Sequence, residues 1–109
     1  MSIRIERVNE LIIGELAKII NDNIYLDGGL ITLVKVRCSA NLKDARVNIS
    51  VLPENKSGTA LELLRKSRSQ LTKSLAVKIK MRAVPKLHFV IDNQERYAAE
   101  IDKAFRELQ

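Results

Sequence analysis

Apolar residues recur every three or four positions from Ile5 through Val8, Leu11, Ile12, Leu16, Ile19 and Ile20, with Glu6, Asn9, Glu15 and Lys18 between them. That period puts the apolar set on one side of an amphipathic first helix. Asn21, Asp22 and Asn23, then Asp27, Gly28 and Gly29, interrupt it with residues that tolerate turns, so the helix is expected to end near Asn21. The period then drops to two. Ile31 to Cys38 is rich in β-branched residues, and Val34, Val36 and Cys38 alternate with Lys35 and Arg37, as in a half-buried strand. Ala45, Val47, Ile49 and Val51 alternate in the same way and share one face of a second strand, which Pro53 closes. The short polar link from Ser39 to Asp44 joins the two as an antiparallel hairpin.

Two capping boxes come next, Thr59 with Glu62 and Ser67 with Gln70, in which a hydroxyl takes an orphan amide and the residue three positions on reaches back. Leu61, Leu63 and Leu64 belong to a short helix after the first signal. Leu71, Leu75 and Ile79 belong to a longer one after the second. Two consecutive start signals predict a helix, a kink at Ser67, Arg68 and Ser69, and another helix. Pro85 disfavours helical geometry at Val84, which stops the second by about Arg82 or Ala83. Leu87, Phe89 and Ile91 mark the core face of a third strand ending at Asp92, and Asp92 to Glu95 repeats the cap pattern. Tyr97, Ile101, Ala104, Phe105 and Leu108 form the stripe of a final helix. The predicted order is α-β-β-α-α-β-α, an α+β fold with helices packed on one face of a three-stranded sheet.

At 109 residues the chain has the size of a single domain, expected over residues 1–109, with no internal repeat and no dividing linker. Four glycines and two prolines against 46% hydrophobic residues exclude disordered and collagen-like readings. One cysteine excludes an internal disulfide and any multi-cysteine zinc site. The opening residues Met1 to Arg7 carry charges of both signs, and Glu10 and Glu15 interrupt the apolar positions after them, so no signal-peptide core forms. The apolar run from Gly28 to Val34 falls far short of the roughly 20 residues that a membrane span needs. A soluble, cytoplasmic protein is expected.

Charge changes this picture most. Residues 56–86 carry Lys56, Arg65, Lys66, Arg68, Lys73, Lys78, Lys80, Arg82 and Lys86 against Glu62 alone, giving that segment 9 − 1 = +8 of the chain's net +6. A positive field so local concentrates a polyanion, because each phosphate contact releases condensed counterions. Lys66, Lys73 and Lys80 stand seven apart, the spacing of one polar helix face; a kink would move Lys66 off the line and leave Lys73 with Lys80. A charged helix-kink-helix between two strands is the arrangement of a KH domain, whose inter-helix turn grips a nucleic-acid backbone. Arg65, Lys66, Arg68, Lys73, Lys80 and Arg82 are the candidate RNA contacts, with Arg68 at the apex of the kink. Two tyrosines and two phenylalanines are too few for a base-stacking platform.

The segment from Ile31 to Leu52 resembles the signature of the ribosome-binding factor A family. Thr32, Val36, Ser39 and Leu42 match its strand and loop, Asn41 stands where aspartate is commoner, and Ala45, Val47, Ser50 and Val51 match its second strand. Arg7 and Val8 with Glu15 and Leu16, and the run from Pro85 to Asp92, are similar to the family's opening and closing segments, so the likeness spans nearly the whole chain. The resemblance implies a type II KH-like domain. It also implies a maturation factor that binds 16S rRNA and the free 30S small ribosomal subunit late in assembly, aids rRNA processing and supports growth in the cold. The family carries Ala-x-Gly at the kink in place of Gly-x-x-Gly; here Ser67, Arg68 and Ser69 occupy it, without the glycine.

An enzyme is not expected. His88 and Asp92 share a strand face but lie about 13 Å apart at roughly 3.3 Å per residue, too far for a dyad. Cys38 alternates into the core face as a small hydrophobe, and Asp22, Asp27, Asp44 and Asp92 lack metal-loop spacing. No cofactor or metal is called for, and a monomer is expected. Three function classes remain: a small-subunit assembly factor, a generic KH-like binder of single-stranded RNA, and a protein-interaction module with a basic face.

Overall fold

The computed structural model describes residues 3–92. Helix α1, Ile3–Asn23, buries Val8, Ile12, Leu16, Ile19 and Ile20 and leaves Glu6, Glu10 and Lys18 outside the core, as its period requires, whereas Leu11, expected with the apolar set, is exposed at the edge of the stripe. It runs two residues past Asn21: the Ile24 amide still donates to the Ile20 carbonyl at 2.9 Å, and the Asn23 side-chain amide adds a bond to the Ile19 carbonyl at 2.8 Å. The chain then turns through Gly28, whose φ of 68° suits glycine.

Strands β1, Leu30–Cys38, and β2, Asp44–Leu52, form the expected antiparallel hairpin, with Leu30 opposite Leu52 and Cys38 opposite Ala45. The alternation in β1 is broken, however. The register slips between Leu33 and Lys35, and the extra residue reverses which side chains face inward. Ile31 and Leu33 point to the core before the slip, and Val36 and Cys38 after it. Val34, expected on the core face, is exposed. In β2 the pattern holds without a fault: Ala45, Val47, Ile49 and Val51 are all buried.

A single 3-10 turn, Glu54–Lys56, runs directly into α2, Ser57–Lys66. This displaces the first predicted cap. The Ser57 amide donates to the Glu54 carbonyl, so the preceding turn supplies a partner at the helix start and Thr59 already lies inside the helix with no capping role. Helix α3, Arg68–Ile79, starts one residue after α2 ends. The break is Ser67 alone, at φ −91° and ψ 1°; Arg68 and Ser69 belong to α3. At those angles the Ser67 amide still reaches the Leu63 carbonyl at 3.0 Å, and its own carbonyl accepts the Leu71 amide at 2.9 Å. The main chain therefore continues its hydrogen bonding across the break. The Ser67 hydroxyl makes no capping bond, and no residue from Ser67 to Ser69 needs a positive φ.

Helix α3 stops at Ile79, short of Arg82, because Lys80 adopts the left-handed conformation (φ 54°, ψ 39°) and returns its amide to the Ala76 carbonyl at 3.0 Å. A side chain there costs roughly 1 kcal/mol that glycine avoids. Lys80→Gly is therefore expected to raise stability by about 0.5–1 kcal/mol in urea denaturation.

Strand β3, Lys86–Ile91, adds to the far side of β2 in parallel, with Asp44 beside Lys86 and Val47 beside Phe89. Two parallel neighbours require a crossover, and α2 with α3 provide it. α2 packs on β2 and β3, while α3 packs along α1. Leu64, Leu71, Leu75, Leu87 and Phe89 join the α1 stripe and the inner face of β2 in one core. The opposite face of β2 also holds buried groups, Arg46 and Asn48; Asn48 donates to the Asp92 carboxylate at 3.3 Å. Burial and the neighbouring Arg37 lower the proton affinity of Arg46, and Asp92 partly opposes them. The final helix expected from Tyr97 to Leu108, with its cap at Asp92 to Glu95, lies outside the described residues. Among the described residues no helix is long and apolar enough to cross a membrane.

Candidate nucleic-acid interface

The one-residue break between α2 and α3 sets the end of one helix and the start of the next beside the beginning of β3. Arg65 and Lys66 close α2, Arg68 opens α3, and Lys73 lies on α3 itself. All four line an open groove of about 660 Å³, together with Lys43 from the β1–β2 loop and Lys86 from the start of β3. Six cationic groups thus face one hollow, and the Ser69 and Thr72 side chains add hydroxyls to it. Beside it, Glu62 holds Lys66 at 3.2 Å across one helical turn. Both ends of that pair are exposed, so it is weak and a phosphate can replace the carboxylate at little cost. Arg68 is half-buried. Its Nε is shielded from water and has no hydrogen-bond partner among the described residues, while the residue lines the groove.

A second hollow, of about 510 Å³, is also bordered by Lys43 and is lined by Arg4, Lys43 and Arg82 with residues of the β1–β2 loop and the α3–β3 link. Arg82, a sequence candidate, is placed here. Lys80 lines neither hollow. Lys66 and Lys73 share a groove, whereas the Lys73–Lys80 face expected from seven-residue spacing does not form: the helix ends at Ile79, and the left-handed turn takes Lys80 off the helical screw. Lys43 and Lys86 are groove residues that sequence reasoning does not single out. Lys86 is visible as charge in the basic segment; Lys43 lies outside it, and only the parallel pairing of β2 with β3 brings the two together.

That pairing also explains His88. Its Nε2 lies 2.8 Å from Asp44 Oδ1 on the adjacent strand, with both side chains largely buried, rather than near Asp92 at the end of its own strand. Neither basic hollow is lined by His88 or Asp44, and the pair pins the start of β2 to β3. Cys38 is buried against the core, and desolvation pushes its thiol up to about 11, so the nucleophilic thiolate is suppressed at neutral pH. Its amide donates to Asn9 Oδ1 at 2.8 Å, tying β1 to α1. Among the described residues no group of three or more His, Cys, Asp or Glu side chains could hold a metal ion.

The family model described as "Ribosome-binding factor A" matches residues 4–105. The chain belongs to the ribosome-binding factor A family. A ribosome-binding factor A of Macrococcus caseolyticus is 34% identical over 110 residues, spanning 99% of this chain and 96% of that protein. One from Prosthecochloris aestuarii is 33% identical over 98% of this chain and 90% of its own length. The fold agrees as well. The crystal structure of ribosome-binding factor A from Thermus thermophilus superimposes with a TM-score of 0.69 at 25% identity, over 80% of this chain and 94% of that one. A homology model of the Thermus thermophilus protein, fitted into a cryo-EM map of its complex with the 30S subunit, gives 0.68 at 25% identity, over 75% of this chain and 88% of that one. The α+β, KH-like class read from the sequence is therefore the fold of this family member. Six basic groups, Lys43, Arg65, Lys66, Arg68, Lys73 and Lys86, line the groove beside the α2–α3 break.

Proposed function

We propose that this protein is an assembly factor for the small ribosomal subunit. It binds the free 30S particle through the backbone of 16S rRNA, assists its late maturation and the processing of that rRNA, and supports growth in the cold. On this reading it acts in the cytoplasm as a monomer, without a cofactor and without catalysing a reaction. The observation that carries the reading is the convergence of Arg65, Lys66, Arg68, Lys73, Lys43 and Lys86 on one groove at the helix-helix break, in a chain of this family. Cationic side chains supply affinity for a polyphosphate without selecting bases, and the scarcity of aromatic side chains in the chain fits backbone recognition better than base stacking. This favours an rRNA-bound factor over a generic reader of single-stranded bases.

Sucrose-gradient fractionation of cell lysate tests it. The protein is expected to comigrate with free small subunits and to be depleted from polysomes. Equal occupancy of small subunits and polysomes would overturn the assignment.

A further inference from the structure

Lys43 lines both basic hollows, and among the described residues no other cation does so. Its position is set by an unusually complete set of main-chain bonds for an exposed loop. The Lys43 amide donates to Asn41 Oδ1 at 3.0 Å, and its carbonyl accepts the Lys86 amide at 2.9 Å. Asn41 Oδ1 also accepts the Ser39 hydroxyl at 2.6 Å, and the same hydroxyl oxygen accepts the Asp44 amide at 3.1 Å. Leu42 between them takes a left-handed φ of 59°, a conformation that bulky side chains adopt only when the surroundings enforce it. On the next residue along the strand the Asp44 carboxylate holds His88. The loop is thus fixed to β3 by both backbone and side chains, and the main chain that carries the lysine is ordered before any ligand arrives.

We propose that Lys43 joins the two hollows into one phosphate track, along which the sugar-phosphate backbone of a single RNA strand passes from the α2–α3 break, over the β1–β2 loop, to Arg82 on the α3–β3 link. This rests on the reading of the first groove as an rRNA interface and extends it to a surface outside the helix pair. The ligand chemistry comes from the lining. Lys66, Lys73 and Lys86 offer cations in one hollow and Arg82 offers one in the other, so consecutive phosphates can be met without contact to base edges. Asn41 is a positioning residue in this scheme, since it acts only by holding the Lys43 main chain.

Filter binding of the full chain to purified 16S rRNA across a potassium chloride series tests the track. Lys43→Ala and Arg82→Gln are each expected to lower the slope of log affinity against log salt by roughly 1, and the double variant by roughly 2. Lys43→Arg is expected to keep the slope of the unmodified protein, since charge and reach are retained. Lys78→Ala serves as a control for net charge, because Lys78 is exposed and lines neither hollow; it is expected to change nothing. If Lys66→Ala lowers the slope while Lys43→Ala and Arg82→Gln leave it intact, the track is refuted and the groove reading stands. If Lys66→Ala also leaves it intact, the groove reading fails and the track with it. A Lys78→Ala loss equal to that of Lys43→Ala would reduce the effect to overall charge and refute the track as well.

Discussion

Reversing two charges in the groove, as Lys66→Glu with Lys73→Glu, is expected to weaken 16S rRNA binding by about 25-fold or more at roughly 0.1 M salt while leaving the protein folded. The magnitude comes from counterion release. Each phosphate contact on a single strand contributes a slope of about 0.7, which is roughly fivefold in affinity between about 1 M and 0.1 M salt, so two lost contacts multiply to about 25-fold. Repulsion from the new carboxylates adds to this. Both lysines are exposed, and surface changes of this kind cost within about 0.5 kcal/mol. The unfavourable local term is the carboxylate introduced by Lys66→Glu facing Glu62 across a helical turn in place of the present Lys66–Glu62 pair, a few tenths of a kcal/mol. Filter binding with circular dichroism in parallel checks both halves. Unchanged affinity in a folded variant would show the groove to be only a solvated basic face. Lys80→Gly separates the two possible lysine pairs: because Lys80 lines neither hollow, that change is expected to leave rRNA affinity as it was, and a loss matching that of Lys73→Ala would restore the seven-residue stripe.

The largest effect on stability is expected at Phe89. The ring lies in the middle of β3, 2% exposed, on the sheet face that meets the helices, beside Val47 of β2. Truncation to alanine removes its transfer free energy and leaves a cavity that the surrounding elements fill only in part, which costs about 3–5 kcal/mol. Against the roughly 5–15 kcal/mol that holds a typical domain together, this is a large share. Urea denaturation should show a sharply lower midpoint with little change in slope. Because β3 carries Lys86 and holds Lys43 through its amide, the same substitution is expected to loosen one wall of the groove. A loss under about 1 kcal/mol would mean that the helices collapse onto the vacated space, and that the core is far more plastic than its close burial implies.

An element is legible in the sequence when its pattern is set by its own residues, and obscure when a neighbour sets it. α1 and β2 are legible because each has one buried face and an uninterrupted period. β1 misleads at Val34 because a one-residue slip in pairing is invisible until the partner strand is known. The helix caps mislead for a related reason. Ser or Thr followed three residues later by Gln or Glu is a real signal for an isolated helix start, but Thr59 falls inside α2, which grows out of the preceding 3-10 turn, and at Ser67 the main chain carries its hydrogen bonding over from α2, with no side-chain cap bond at either helix start.

The candidate site divides along the same line. Charge concentration in residues 56–86 is a property of composition, and four of the six candidate contacts, Arg65, Lys66, Arg68 and Lys73, need only two short helices in succession to come together. Lys80 departs from them because one residue's backbone, in the left-handed region, ends the helix earlier than Pro85 would require. By itself, then, the chain determined the types of its described elements, the buried faces of α1 and β2 and the sign of its most charged stretch, since periodicity and charge are local. Only the tertiary structure decided the parallel placement of β3. That placement sets Asp44 beside His88 and Lys43 beside Lys86, because pairing between strands some forty residues apart in sequence depends on the whole crossover packing against the core, which no window of sequence contains.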